Sequence, residues 1–518
     1  MKQICMAGID IGGTSIRALI CDTQAKELAF AQRSTLPAYR GGNGRTADTG
    51  PQRDFDAEIL WSITAQVLRE AVAMLDDHYS LRSIAVSSCG CTIILLDAQN
   101  RQIPLKMSYA ETRQELAYYQ SLYTNHAFAL RTGYPLESDL SGIHLSAFCQ
   151  AGSARRIARV LSVDDYIAFR LSGVFSRNWS TAASCGMWDR LEQRWLDSFA
   201  ARTGLNHALL GCPVQSGQQI GTVSPQACAE TGLGLSVSVS TGGMDYACAA
   251  LACRQLLKGR MFNITGTIDL IAHFQRDAAW NPPDCRCIND FHVEPGVDSH
   301  MMEAVGALQT EWLKDQVVAD RQHGFSLEWE AYFAMLKEHY QKHCITSEIF
   351  LPQVFGAFIP AVDPTAQGCF MGINPQSSSI SLLRAVLEGM SFQSKRMLEY
   401  LGTNKSDELV LVGGGSRQAV WMQIKADVMG RNLLAPCVSE ASAVGAALLG
   451  GIGCGIYADC AQAGRASAGC SVREVRFNPA RNAYYQQVYE QVYLPAEQLH
   501  RQFGKTLSSI QKAIGGKP

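Results

Sequence analysis

At 518 residues the chain exceeds what one hydrophobic core organises, so two or more domains are expected. Apolar residues at 47% and charged residues at 18% describe a globular protein, and a net charge of −2 gives no electrostatic drive toward nucleic acid or an anionic membrane. Eighteen cysteines include no CxxC spacing, and neither Cys89-Gly90-Cys91 nor Cys285-Arg286-Cys287 has a second pair to complete a tetrahedral zinc site, so they read as small core residues kept reduced in the cytoplasm.

Residues Gln3–Ile11 form an apolar strand interrupted by Asp10, which is not the pattern of a signal peptide. The strand runs into Gly12-Gly13-Thr14-Ser15 and returns as a second strand over Ile16–Cys21, carrying Arg17. Backbone N–H groups at such a hairpin tip can wrap phosphate oxygens, and Asp10 is placed to hold Mg²⁺ through water. The tip is not a GxxxxGK[ST] loop, because a strand follows the glycines where that loop has a helix. Residues Tyr39–Asp54 read as loop and Phe55–Leu75 as an amphipathic helix. A strand over Ser83–Ser88 then leads through Cys89-Gly90-Cys91 to another over Thr92–Leu96. Tyr109-Ala110-Glu111-Thr112-Arg113 follows; an acid accepts and a guanidinium donates hydrogen bonds, as a polyol requires, although a surface ion pair has the same residues.

The stretch from Leu235 to Thr267 organises the chain. Alternating Leu235–Ser240 predicts a strand that breaks at Thr241-Gly242-Gly243, with Met244-Asp245 in the turn and a small-residue helix over Tyr246–Leu257. A further strand, Arg260–Ile264, stops at Thr265-Gly266-Thr267. Glycines let backbone N–H groups approach an anion, and threonine hydroxyls add donors. A carboxylate beside such a turn repels phosphate, so Asp245 reads either as a base that takes a proton from an attacking hydroxyl or as a cap for the helix after it.

Residues Ala278–Pro295 read as irregular. Farther on, Leu382–Leu401 reads as a long helix, and Glu408–Val412, Gly413-Gly414-Gly415 and Ala419–Met429 form a strand, glycine turn and helix that suit an anion or nucleotide. The small-residue helix at Ala443–Ala447 suits close approach to a backbone or a flat adenine ring, and the run to Ile456 is too short to span a bilayer. The tail from Ala480 to Ile514 reads as polar helix bracing the outside. Two halves that each open on a phosphate-type hairpin predict a duplicated α/β architecture with a cleft between them, whose closure excludes water.

Taken in order, these segments resemble the FGGY carbohydrate kinases, of the actin/hexokinase/Hsp70 fold class, over about residues 4–457. The matching pieces are Gly8-Ile-Asp10-Ile-Gly-Gly-Thr14-Ser15-Ile-Arg17, Gly242-Gly243-Met244-Asp245, Ile264-Thr265-Gly266-Thr267, Leu351-Pro352 through Asp363-Pro364 to Phe370, Arg384…Glu388-Gly389, and Gly413-Gly414-Gly415-Ser416…Asp427. The resemblance implies two ribonuclease H-like domains, 1–245 for sugar and first phosphate hairpin and 246–480 for nucleotide, with a helical extension over 481–518. It implies Asp245 as general base, Asp10 and Asp245 at Mg²⁺, and Gly12, Gly13, Thr14, Ser15, Arg17, Thr265, Gly266, Thr267, Gly306, Gly413, Gly414, Gly415 and Gln418 around ATP. Glu111 and Arg113 occupy the place of the family's Trp-x-Asp-x-Arg substrate segment, with Trp179 and Tyr246 further candidates at the sugar.

Departures from the family pattern fall on the sugar side: Tyr109 for Trp, Glu111 for Asp, Trp179 near an acidic position, Tyr246 for a polar residue, and Phe355-Gly-Ala-Phe358 for a more charged loop. The expected activity is ATP-dependent phosphorylation of a small sugar or polyol, with an open-chain ketose (a pentulose or 6-deoxyhexulose) favoured by the C-terminal glycine segment. The alternative is a non-catalytic sugar- or nucleotide-sensing protein of the same fold. An ROK-type repressor would need a DNA-binding segment ahead of Ile4 that has no room here. A homodimer is left open.

Overall fold

The computed structural model describes residues 2–38, 55–105, 109–276, 287–318, 328–343, 346–363, 365–402, 408–438 and 440–514. The loop read over Tyr39–Asp54, part of the irregular stretch from Ala278, and Pro364 lie outside them. The principal strands are β1 Gln3–Ile11, β2 Ser15–Asp22, β3 Glu27–Ser34, β4 Tyr79–Ser88, β5 Gln219–Thr222, β6 Ser238–Met244, β7 Met261–Thr265, β8 Ile268–Arg276, β9 Ile288–Phe291, β10 Val297–Val305, β11 Leu409–Val412, β12 Leu433–Pro436 and β13 Val472–Val475. The helices that matter below are α1 Ala57–Ala73, α2 Tyr109–Leu122, α3 Val163–Ser172, α4 Trp179–Ala183, α5 Asp245–Ala252, α6 Ser379–Tyr400, α7 Ala419–Met429, α8 Ala441–Gly453 and α9 Leu494–Ala513.

Two large mixed sheets result, in the orders β5-β6-β4-β1-β2-β3 and β9-β10-β8-β7-β11-β12-β13. In the first, β1, β2 and β3 are antiparallel neighbours, while β4 and β6 run parallel to β1 on its other side. In the second, β7, β8 and β10 form the antiparallel set, with β11 and β12 parallel to β7. The same five-strand plan occurs twice, which is the ribonuclease H-like duplication expected from the sequence.

Strand periodicity decides which side chains reach the cleft. Along β1, Cys5, Ala7, Ile9 and Ile11 point into a core shared with Leu60, Val67 and Leu171 of α1 and α3. Met6 points to the opposite face, so Gly8 and Asp10 share that face with it. Helix α8 covers it: a Cβ on Gly8 would lie 1.8 Å from the Ala443 carbonyl oxygen, and one on Gly445 would lie 1.9 Å from that of Cys248 in α5. Of the two partners the small-residue helix suits, it has backbone on both sides. Because a main-chain oxygen cannot rotate away, Gly8→Ala is expected to cost about 1–3 kcal/mol by overpacking, read as a lowered denaturation midpoint; unchanged stability would mean α8 does not sit this tightly.

Four elements differ from the sequence reading. The stretch read as irregular over Ala278–Pro295 contains strand β9, paired antiparallel with β10. The strand expected to break at Thr241 continues through Gly242 and Gly243 as β6, and Asp245 begins α5 directly. The glycines are there for approach: a Cβ on Gly242 would lie 1.7 Å from the Val86 carbonyl oxygen of β4. Between β11 and α7 a 3₁₀ turn, Gly414–Arg417, intervenes, so the glycines do not open the helix directly. The tail is helical, but α9 carries exposed apolar residues, so it is not simply polar.

Candidate active site

The pairing registers set Asp10 opposite Ser87 on β4, and Ser87 opposite Gly243 on β6. Asp10, Ser87 and Asp245 therefore gather at the C-terminal ends of three adjacent parallel strands, where open α/β sheets bind ligands. Adjacent strands lie about 4.8 Å apart, so the Asp10 backbone is roughly 10 Å from that of Gly243. Asp10 is buried; Ser87 Oγ donates to its Oδ1 at 2.9 Å and Arg17 Nη1 to its Oδ2 at 2.8 Å. Burial pushes its carboxyl up, and Arg17 and Ser87 pull it back.

Asp245 is half-buried and is the first residue of α5, with Met244 in the cap position. Its Oδ1 accepts the N–H of the next residue, Tyr246, at 2.7 Å. The strand that delivers it is fastened by α4. Asn178 Nδ2 donates to the Gly242 carbonyl at 2.8 Å, and Ser180 Oγ accepts the Met244 N–H at 3.1 Å. Asn178 also caps α4 through Oδ1, so one side chain holds both the helix and the strand. Asn178 and Ser180 were not singled out from the sequence; the Asn-x-Ser-Thr pattern at 178–181 is a capped helix start and would have located α4, but not what it fastens.

Between those two fasteners sits Trp179, stacked on Phe291 of β9 with ring centroids 4.7 Å apart. The Arg190 guanidinium lies near the same ring, 4.4 Å from its centroid. The indole Nε1 of Trp179 is buried without a hydrogen-bond partner. Tyr246 is fully buried, and its hydroxyl donates to Asp290 of β9 at 3.4 Å. Burial pushes the Asp290 carboxyl up to about 7. Asn289 N–H donates to the Gly133 carbonyl at 2.8 Å, so β9 brings the second sheet against the first half beside Asp245. Gly90, between Cys89 and Cys91, packs on the Met244 side chain, putting the Cys-Gly-Cys segment along the same wall.

In the second half three turns converge. Gly306 N–H donates to the Thr267 carbonyl at 2.9 Å and Ala307 N–H to that of Gly266 at 2.8 Å. A Cβ on Gly413 would lie 2.4 Å from the Thr265 carbonyl oxygen, and one on Gly415 would press on the Thr265 side chain. Gly413 has φ +94°, the left-handed region that glycine tolerates. Gly414 is exposed beside them, and Gln418 follows the 3₁₀ turn with its N–H bonded to the Gly415 carbonyl at 3.2 Å. The Thr265 hydroxyl is buried without a hydrogen-bond partner.

An alternating line of charge crosses from one set of turns to the other. Arg17 pairs with Asp10 and, through Nε, with Glu440 at 3.2 Å, and Arg417 Nη2 donates to Glu440 at 2.6 Å. Glu440 stands where the chain leaves the second sheet at β12 and enters α8 on the first, so one carboxylate joins the first hairpin to the glycine turn. Its place ahead of a helix N-terminus was visible in the sequence, but not its partners. Gly12, Gly13 and Ser15 are half-buried and Thr14 exposed at the hairpin tip; Thr35 N–H donates to the Thr14 carbonyl at 3.1 Å.

Glu111 and Arg113 both lie exposed in the first turns of α2, and residues two apart on a helix face different sides. The buried acid of that helix is Glu115, which accepts two bonds from Arg202 at 2.6 and 3.0 Å. Among the described residues no three His, Cys, Asp or Glu gather to hold a metal, and no helix is long and apolar enough to cross a membrane. Mg²⁺ keeps several waters and needs only one or two carboxylates beside phosphate oxygens, which Asp10 and Asp245 at one sheet edge satisfy.

Two ribonuclease H-like halves, each opening on a glycine-bearing hairpin, define the actin and hexokinase class of folds. Residues 5–252 match the N-terminal domain of the FGGY family of carbohydrate kinases, and residues 293–454 match its C-terminal domain. The chain belongs to that family and is a sugar kinase. It is 24% identical over 502 residues to the probable L-xylulose kinase of Pasteurella multocida, spanning 93% of this chain and 96% of that protein. The autoinducer-2 kinase of Salmonella typhimurium is 24% identical over 506 residues, 94% of this chain and 92% of that one. Among solved structures, the xylulose kinase from Rhodospirillum rubrum matches with a TM-score of 0.78 at 22% identity, over 96% of this chain and 99% of that one.

Proposed function

We propose that this sugar kinase transfers the γ-phosphoryl group of ATP to a primary hydroxyl of a small open-chain ketose, a pentulose or 6-deoxyhexulose, with Asp245 as the general base. One observation carries the reading: at the glycine turn after β7 the buried Thr265 hydroxyl has no hydrogen-bond partner, which suits a phosphate oxygen, and the fold supplies an acid, Asp245, at the end of β6. In this reading 1–245 binds the sugar and 246–480 the nucleotide. Asp245 accepts the proton of the attacking hydroxyl. The Gly12–Ser15 tip and Thr265–Thr267 donate to the transferring phosphoryl group, Arg17 adds positive charge there, and Gly306, Gly413–Gly415 and Gln418 hold the rest of ADP. Asp10 and Asp245 would hold Mg²⁺, which would supply charge neutralisation to the phosphates.

On the sugar side, the partnerless Trp179 Nε1 is a donor that a ketose hydroxyl or carbonyl can take. Glu111 and Arg113 are assigned to the same substrate by their place in the family pattern. Xylulose, a pentulose, appears in the names of two of the relatives above, which supports the ketose class. The test is to compare kcat/KM for pentuloses and 6-deoxyhexuloses with the corresponding alditols and glycerol, and to locate the product phosphate by ³¹P and ¹³C NMR. Ketose preference with phosphate on a terminal carbon is expected. Faster turnover of an alditol, or phosphate on a secondary hydroxyl, would overturn the substrate assignment.

A further inference from the structure

Helix α9 is attached to the body by its polar side. Glu497 is buried and accepts from Gln353 Nε2 at 3.0 Å and from Arg501 Nη2 at 3.1 Å, and Arg501 also bonds the Ile359 carbonyl. Gly504 sits against the Thr365 backbone, and His500 bonds the Gln367 carbonyl at 2.9 Å. The apolar side is left to solvent: Leu499, Phe503, Leu507 and Ile510, with Val492 in the helical turn before α9 and Ile514 just past its end, are 43 to 78% exposed. A helix normally buries its apolar stripe and shows its polar one; here the two are exchanged.

The spacing of this stripe says what fits it. With the half-buried Ala496, its positions are symmetric about Phe503: 492 mirrors 514, 496 mirrors 510, and 499 mirrors 507. Laid antiparallel on a copy of itself, the stripe meets its own pattern, with Phe503 against Phe503 on a two-fold axis. Steps of three and four residues are those of helices that pack side by side. Electrostatics permits the pairing, because 100° per residue turns Lys505 far from the stripe, and Arg501 is engaged on the inner face. The area also suffices: six such side chains present roughly 500 Å² of apolar surface per protomer, so about 1,000 Å² in a two-fold pair, the threshold for a stable interface.

We infer that the protein is a homodimer in which the α9 helices of two copies pack antiparallel along the Val492–Ile514 stripe. A self-complementary patch forms an isologous contact that closes on itself, leaving no sticky end for a filament. None of the stripe residues is among those assigned to sugar, nucleotide or Mg²⁺, so dimerisation is separable from catalysis.

Sedimentation velocity of the full chain from about 1 to 100 µM tests this, the upper end being ample for an interface of that size. A species of twice the 56.5 kDa chain mass is expected. Phe503→Glu should give monomers that remain folded by circular dichroism, because Phe503 is solvent-exposed in the single chain, whereas Lys505→Glu on another face should remain dimeric. Register is tested separately: Phe503→Cys should form a disulfide-linked dimer under mild oxidation, and Leu499→Cys, opposite Leu507, should not. A wild-type monomer throughout, or a dimer that survives Phe503→Glu, would overturn the inference. A monomer that instead binds phosphatidylcholine vesicles would assign the stripe to a membrane surface and overturn it equally.

Discussion

Asp245→Asn is expected to lower kcat by about 10²–10⁴-fold, the range for loss of a positioned general base. The amide has the carboxylate's shape and keeps an oxygen for the Tyr246 N–H, so the start of α5 is preserved. The strand that carries the residue is fastened by Asn178 and Ser180, neither of which touches the Asp245 side chain through these bonds. What the variant loses is the capacity to accept a proton from the sugar hydroxyl. Steady-state kinetics should therefore show the loss in kcat with little change in KM for ATP, and thermal denaturation should show a folded protein. A fall of less than tenfold would indicate that positioning dominates and that Asp245 is not the base.

Lys425→Met is expected to destabilise the protein by about 3–5 kcal/mol, the cost of breaking a buried ion pair from one side. Lys425 of α7 and Asp269 of β8 are both almost fully buried, with Nζ 2.8 and 3.0 Å from the two carboxylate oxygens. Asn263 and Ser394 also donate to Asp269, so the carboxylate is fully engaged. Removing the ammonium leaves that negative charge in the core, two residues beyond Thr267. The denaturation midpoint should fall and KM for ATP should rise together, because β8 begins directly after Thr265-Gly266-Thr267, the turn proposed to meet phosphate. Adding Asp269→Asn to the same variant should recover part of the stability, since the amide removes the stranded charge and its oxygen can still accept from Asn263, while its NH2 can donate to the Ser394 hydroxyl. If the single variant is as stable as the parent, the pair is not the anchor of this turn.

How much of this was legible in the sequence depended on whether the signal was local. Strand β1, helix α7 and the left-handed Gly430 after it lie where apolar periodicity and helix-stop chemistry put them. The hairpins at Gly12-Gly13 and Thr265–Thr267 were legible as turns, because glycine at a strand end lets the chain reverse. The Thr241–Gly243 segment was misread as a break, because glycine marks both a turn and a strand pressed on a neighbouring backbone, and only Val86 across the sheet decides between them. Partners distant in sequence left no local trace. Asn178 reaches Gly242 across 64 positions and Lys425 reaches Asp269 across 156, and no periodicity encodes either. The α9 stripe was present in the sequence, but its meaning depends on which face the body leaves uncovered.

The most direct measurement is ADP release from Mg-ATP, coupled to NADH oxidation, with a panel of pentuloses, hexuloses, pentitols and glycerol set against a no-sugar control. ADP formation that depends on one of the ketoses is the expected result. No ADP with any member of the panel, while a sugar raises the melting temperature, would contradict catalysis and leave a binding protein built on a kinase fold.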